Sequence, residues 1–324
     1  VITVTQPHTP HPAPPNDSPV PRLHWWFEIA IVFVFYSVYS GIRNFFGSAK
    51  VSPEAALENA LDVIHIERTL GLFHEQTIQS WFIDWEWFMR GWNIFYGTFH
   101  FVVTIGALVY LFLRHPARYM RFRNALAMTT AGALIGFSLF PLMPPRLLDD
   151  CTTVFGGCTP HGFVDSLAHF GGSWSFDSGA MKSVSNQYAA MPSLHFGWAM
   201  WCCLALAPVM RRRWVRSMFL AYPWLTVFAI VVTGNHYWLD AAGGAFALAA
   251  GFVIGSQITR LESRLRFARL LRHAPPRAAT ATTSTAPVEE VPSPPHHSPT
   301  GQLTTLATSH GPADPPGRAT VPTS

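Results

Sequence analysis

Residues 193–258 read SLHFGWAMWCCLALAPVM-RRRWVRSMFLAYPWLTVFAIVVTG-NHYWLDAAGGAFALAAGFVIGSQI. Three apolar runs, 193–210, 214–234 and 237–258, are separated by a cluster of arginines and by a turn that carries His236. Each run approaches the ~20 residues that a helix needs to cross a ~30 Å hydrocarbon layer. Outward from this stretch, further apolar runs at about 24–46, 92–113 and 124–143 complete a set of six. The pattern predicts an all-α integral membrane fold: a six-transmembrane helical bundle with interfacial helices on the outer face and disordered tails.

Composition agrees. The 324 residues are 49% hydrophobic and only 12% charged, about half the charged fraction of a typical soluble domain. The formal net charge of +4 does not point to nucleic acid, because the arginines sit in short loops between apolar runs. Arg114, Arg118, Arg121 and Arg123 follow the second run; Arg211, Arg212, Arg213 and Arg216 follow the fourth; Arg260, Arg264, Arg266, Arg269 and Arg272 follow the sixth. The alternate loops are longer and poorer in basic residues, so the positive-inside rule puts both termini in the cytoplasm of a multi-pass cell-membrane protein. Residues 1–22 are polar and proline-rich and read as a disordered arm rather than a signal peptide. Residues 23–272 form the membrane domain, and 273–324, rich in Pro, Thr and Ser, read as a disordered tail.

Between the spans, Leu57, Ala60, Leu61 and Ile64 share one helical face, the pattern of a helix lying in the membrane interface. Trp81, Trp85, Trp87 and Trp92 suit an aromatic belt. Cys151 and Cys158 lie close together in an outer loop, where the oxidising side of the membrane permits a disulfide as well as free thiols. Cys202 and Cys203 lie inside a span and read as packing. Gly132/Gly136 and Gly251/Gly255 are small-xxx-small pairs that let helices approach closely.

With this topology His195, opening the fourth span, and His236, at the fifth-to-sixth turn, share the outer membrane level. Ionisable groups at that depth are costly and tend to mark function. His236 and Asp240 are four apart, only about 40° around a helix axis. The carboxylate can take a hydrogen bond from one imidazole nitrogen and leave the other as nucleophile or base. A buried structural pair has the same spacing. In Met191-Pro192-Ser193-Leu194-His195, the proline suits a helix start, and the amides of about 193–196 would make an anion site. Ser193 adds a hydroxyl and His195 a proton donor, which makes a phosphate cradle. Arg146, at the outer end of the third span, can hold phosphate oxygens bidentately, or contact lipid headgroups. Asn93, Tyr96 and His100 share a face of the second span and form either a headgroup or acceptor pocket or an interhelical hydrogen-bond network.

Pro192-Ser193-Leu194-His195, His236-Tyr237-Trp238-Leu239-Asp240 and the run Phe140 to Arg146 (FPLMPPR) together resemble the type 2 phosphatidic acid phosphatase superfamily. More narrowly, they are similar to its inositolphosphotransferase branch, which includes inositol phosphorylceramide synthases. The resemblance covers about residues 36–258. It implies a six-helix core and metal-independent phosphoryl transfer through a phosphohistidine, without cofactor. His236 would be the nucleophile, Asp240 its orienting partner, and His195 the acid that protonates the leaving oxygen and then activates the acceptor. The implied partners are a membrane lipid phosphate donor and water or an alcohol. The chain departs from the superfamily pattern at Ile230, where an arginine is usual, and at Leu139, where a lysine is usual. Phosphate charge would then fall to Arg146 and helix N-termini, with Lys182 and Arg43 as further candidates. Hydrolysis of a lipid or polyprenyl phosphate by the same residues is the alternative. A zinc hydrolase using His195, His236 and Asp240, and a transporter, are the readings from other classes.

Overall fold

The computed structural model describes residues 24–46, 52–149, 160–171 and 187–273. Cys151, Cys158 and Lys182, the side chain of Arg43, and the arm and tail expected at the two ends lie outside the described residues.

Capping side chains or an initial proline start four of the helices. After α1 (Trp25–Phe46), α2 (Pro53–Thr69) opens with Ser52, whose hydroxyl accepts the Ala55 amide, and with Pro53 in the first position. Next come α3 (Glu75–Phe82), α4 (Glu86–Arg114) and α5 (Pro116–Leu139), the last again opening on proline. A 3₁₀ turn at Pro145–Leu147 leads to the short α6 (Ser166–Phe170), capped by Asp165. Then follow α7 (Leu194–Leu206), capped by Ser193, α8 (Arg213–Val232) and α9 (Trp238–His273). Helix dominates the described residues, no strand is among them, and helices cover most of each of the six expected ranges. Three of them are long and apolar enough to cross a membrane: Glu86–Arg114, Arg213–Val232 and, within α9, Trp238–Leu265. Their limits differ from the sequence reading at the charged ends: α4 begins at Glu86 rather than 92, and α9 runs on to His273 rather than stopping at 258. A helix continues past its apolar stretch wherever its backbone bonds remain intact.

Several hydroxyls along the helices are satisfied by the backbone one turn earlier: Thr129 by Ala125, Thr226 by Tyr222 and Thr233 by Ala229, at 2.6–2.9 Å. This removes the penalty of an unpaired polar group in apolar surroundings. α9 packs most extensively on α5, and glycines set the separation. A Cβ on Gly251 would overlap Thr129, one on Gly255 would come within 2.6 Å of the Ala125 backbone, and one on Gly244 would strike the Ser193 carbonyl. At one end of these helices Arg123 is buried between Glu28 of α1 (2.6 Å) and Glu262 of α9 (2.9 Å). Read from sequence as a loop arginine, Arg123 instead joins three helices.

The opposite end carries the polar turns. Here α2 departs from expectation. Ala56, Ala60, Val63 and Ile64 face a protein core with Leu142, Met143, Leu148 and Tyr237, and Leu57 packs against it. Leu61 turns outward, 40% exposed. The face assigned to the membrane interface is therefore buried in protein. Trp81, Trp85 and Trp87 are exposed, as a belt requires.

The glycine contacts yield a contrast. Gly251→Val should lower stability in detergent by roughly 1–3 kcal/mol or more, the usual range for overpacking. Gly132→Val, with nothing within 4 Å of its Cβ position, should change it by less than about 0.5 kcal/mol. Thermal unfolding of the two variants checks this; equal losses would contradict the packing.

Candidate active site

The turn between α8 and α9 is built by a helix ending. Asn235 N–H donates to the Ile230 carbonyl (2.9 Å) and Gly234 N–H to that of Val231 (2.9 Å). These are the paired bonds of a Schellman ending, with Gly234 in the left-handed region at φ +67°. His236 follows at once, its amide donating to the same Ile230 carbonyl (3.1 Å), and its side chain is buried. Asp240 lies one turn on. Nδ1 of His236 is 3.1 Å from Oδ2 of Asp240, which also accepts the Tyr237 amide at 3.0 Å. A carboxylate oxygen accepts, so Nδ1 carries the proton and Nε2 keeps the lone pair.

His195 stands on the first turn of α7. Its ring centroid is 5.5 Å from that of His236, the planes 61° apart. Two groups from α4 complete the cluster: Tyr96 stacks on His195 at 4.1 Å and lies 6.3 Å from His236, and His100 meets His195 at 4.2 Å. Nδ1 of His100 donates to the Tyr96 carbonyl one turn back (2.9 Å), so its Nε2 also holds a lone pair. A small, mostly apolar cavity lies beside His195, lined by Tyr96, His100, Tyr222, Thr226 and Ile230 among others.

The amides at 193–196 are not all open. Ser193 donates its own to the Asp240 carbonyl (2.9 Å), and its hydroxyl accepts from Phe196 (3.4 Å). Those of Leu194 and His195 have no acceptor among the described residues. Ser193 thus caps α7 and ties it to α9, fully buried.

Arg146 joins the site through the turn. Its amide donates to the Gly234 carbonyl (2.7 Å), Nε to Oδ1 of Asn235 (3.1 Å) and Nη1 to Oδ2 of Asp165 (2.6 Å). Three of its five N–H groups have no partner among the described residues. Asp165 is held by its own capping bonds to Leu167 and Ala168. Asn93 is used differently from Tyr96 and His100. Its amide donates to the Ser166 and Gly171 carbonyls (2.8 and 2.9 Å) and accepts from the Ser166 hydroxyl (3.0 Å), which fixes the segment carrying Asp165. Ile230 is in the core, while Leu139 points out, 79% exposed. Among the described residues no group of three or more His, Cys, Asp or Glu is placed to hold a metal ion.

Asp165 and Asn235 were not singled out in the sequence. Asn235 had a local signal, a polar residue between a helix-ending glycine and His236. Asp165 had none beyond its capping position.

A family model described as the PAP2 superfamily matches residues 61–254, more than half of the chain and the part that holds Arg146, His195, His236 and Asp240. Neither curated proteins nor solved structures give a match.

Gly234→Ala should destabilise by about 1–2 kcal/mol for its left-handed backbone alone. The new Cβ would also come within 2.9 Å of the Gln79 amide. Thermal unfolding measures this, and wild-type stability would contradict the described turn.

Proposed function

This chain belongs to the PAP2 superfamily, and from that premise we propose that it transfers a phosphate-containing group from a membrane lipid to an acceptor hydroxyl, through a phosphohistidine at His236. The observation that carries this is the meeting of the His195 and His236 rings at 5.5 Å, with His236 backed by Asp240.

In the first step Nε2 of His236 attacks phosphorus as the bond to the leaving oxygen breaks, and His195 gives that oxygen its proton. In the second, His195 takes the proton of the acceptor hydroxyl, whose oxygen attacks phosphorus and breaks the P–N bond. Asp240 holds the Nδ1 proton throughout. Arg146 and the Leu194 and His195 amides offset the charge on the phosphoryl oxygens. Six spans, cytoplasmic termini and an outer-face site suit the arginine distribution. The apolar Ile230, at a position where the superfamily usually has arginine, favours a transferase of the inositolphosphotransferase kind over a general phosphatase. Water as acceptor would make the same residues a lipid phosphatase.

Quenching in alkaline detergent after exposure to ³²P-labelled phosphatidic acid should leave label on the protein that survives base, is lost in acid, and maps to His236. Release of inorganic phosphate at the same rate with and without added alcohols would select hydrolysis.

In turnover assays with that lipid, His236→Ala should be inactive. His195→Ala should lose on the order of 10²–10⁴-fold, the usual worth of a general acid–base group, and Asp240→Asn should fall between. A wild-type rate in any of the three would contradict its role.

A further inference from the structure

Two acids outside the reacting group are fully buried. Glu67, in the last turn of α2, and Glu75, the first residue of α3, are both 0% exposed. Oε1 of Glu67 accepts the Leu239 amide at 2.8 Å, and Oε1 of Glu75 accepts the Trp238 amide at 3.2 Å. These amides open α9, two and three residues after His236.

The first amides of a helix have no partner inside it, and in apolar surroundings they need acceptors from elsewhere. Tyr237, which precedes α9, offers no capping side chain, and Asp240 already serves the Tyr237 amide and His236. The glutamates therefore cap α9 from two other helices.

Because the two carboxyl groups accept from adjacent amides, they converge on one helix start, where a single proton can be held between them. Among the described residues Oε2 of each has no other group to bond. Facing the pair are Tyr237 and Asp240, neither a cation. Arg68, next in sequence, turns to the Phe73 ring 4.9 Å away. Two buried carboxylates with no cation against them among the described residues would repel each other and Asp240. One proton leaves a single charge, matched to the positive end of α9.

We propose that Glu67 and Glu75 are positioning residues: a proton-sharing pair that fixes the first turn of α9 and, through it, the hold of Asp240 on His236. The positioning role rests on His236 and Asp240 being the reacting pair. The shared proton does not.

Burial, followed by the neighbouring Glu75 carboxyl, pushes Glu67 from its ordinary 4.5 up to about 9. Between these values the folded chain keeps a proton that the unfolded chain releases. Its contribution to stability is therefore full below pH 4.5, declines as pH rises, and is lost above about 9.

The test compares Glu67→Gln and Glu67→Ala in the full chain in detergent. Glutamine keeps an oxygen for the Leu239 amide and offers N–H to Glu75 without titrating; alanine does neither. At pH 7 the wild type should show an infrared band of a buried protonated carboxyl that Glu67→Gln lacks. Its unfolding temperature should fall between pH 5 and 9 more steeply than that of Glu67→Gln. Hydrogen exchange at Trp238 and Leu239 should quicken only in Glu67→Ala. With labelled phosphatidic acid, Glu67→Ala should lose up to about 10²-fold in kcat with little change in KM, as misplaced groups do, and Glu67→Gln should restore most of it.

An unchanged infrared spectrum and equal pH slopes would overturn the shared proton. Wild-type turnover in Glu67→Ala, or equal damage in both variants, would overturn the positioning role. A wild type that never turns over the lipid would count against the enzyme reading, while the infrared, unfolding and exchange results still decide the pair.

Discussion

A buried carboxylate in the first turn of an apolar helix needs donors, and Asp240 finds two on one oxygen while Oδ1 has no partner among the described residues. Oδ2 takes the His236 imidazole and the Tyr237 amide, and the residue's backbone carbonyl takes the Ser193 amide. One residue therefore binds the turn that presents His236 to the helix start that presents His195. The Schellman ending of α8 fixes where that turn begins, and Arg146 locks it from outside through the Gly234 carbonyl and Asn235.

Polar groups concentrate at the two ends of the helices, and the middles carry glycine, alanine and self-satisfied threonine. At the end away from the imidazoles, Glu28, Arg123 and Glu262 join α1, α5 and α9. Such a buried network contributes less to net stability than to register, because desolvating the charges offsets most of their attraction. Register is what α9 needs. Its glycines tolerate one depth against α5, and sliding by a turn would pull Asp240 away from the Ser193 amide.

The helices were legible because an apolar run of membrane length has few alternative structures. The neighbourhood of His195 and His236 was legible from topology, since a helical hairpin returns the chain to the same level. The burial of α2 was not. Leu57, Ala60 and Ile64 repeat with the helical period, and the period does not say whether the facing medium is lipid or protein. Glu67 shows the same limit from the polar side: a glutamate near a helix end reads as solvated, and only its place on the face of Ala56, Ala60 and Val63 marks it as buried. The partners of Arg146 were hidden for another reason. Asp165 lies 19 residues along, and no local pattern in the sequence brings the two together. Arg123 was assigned to a loop because it stands in an arginine-rich segment, yet the helix had already begun at Pro116.

The bond from Nδ1 of His236 to Asp240 has a regiochemical consequence. With that nitrogen committed and buried, an electrophile entering beside His195 meets a single nucleophilic position on the ring. Any adduct formed there, whether from a natural donor or a synthetic reagent, should be the tele isomer, substituted on Nε2, and the pros isomer should be absent. The fold would thus be written into the connectivity of a small fragment that survives after the protein itself has been digested away.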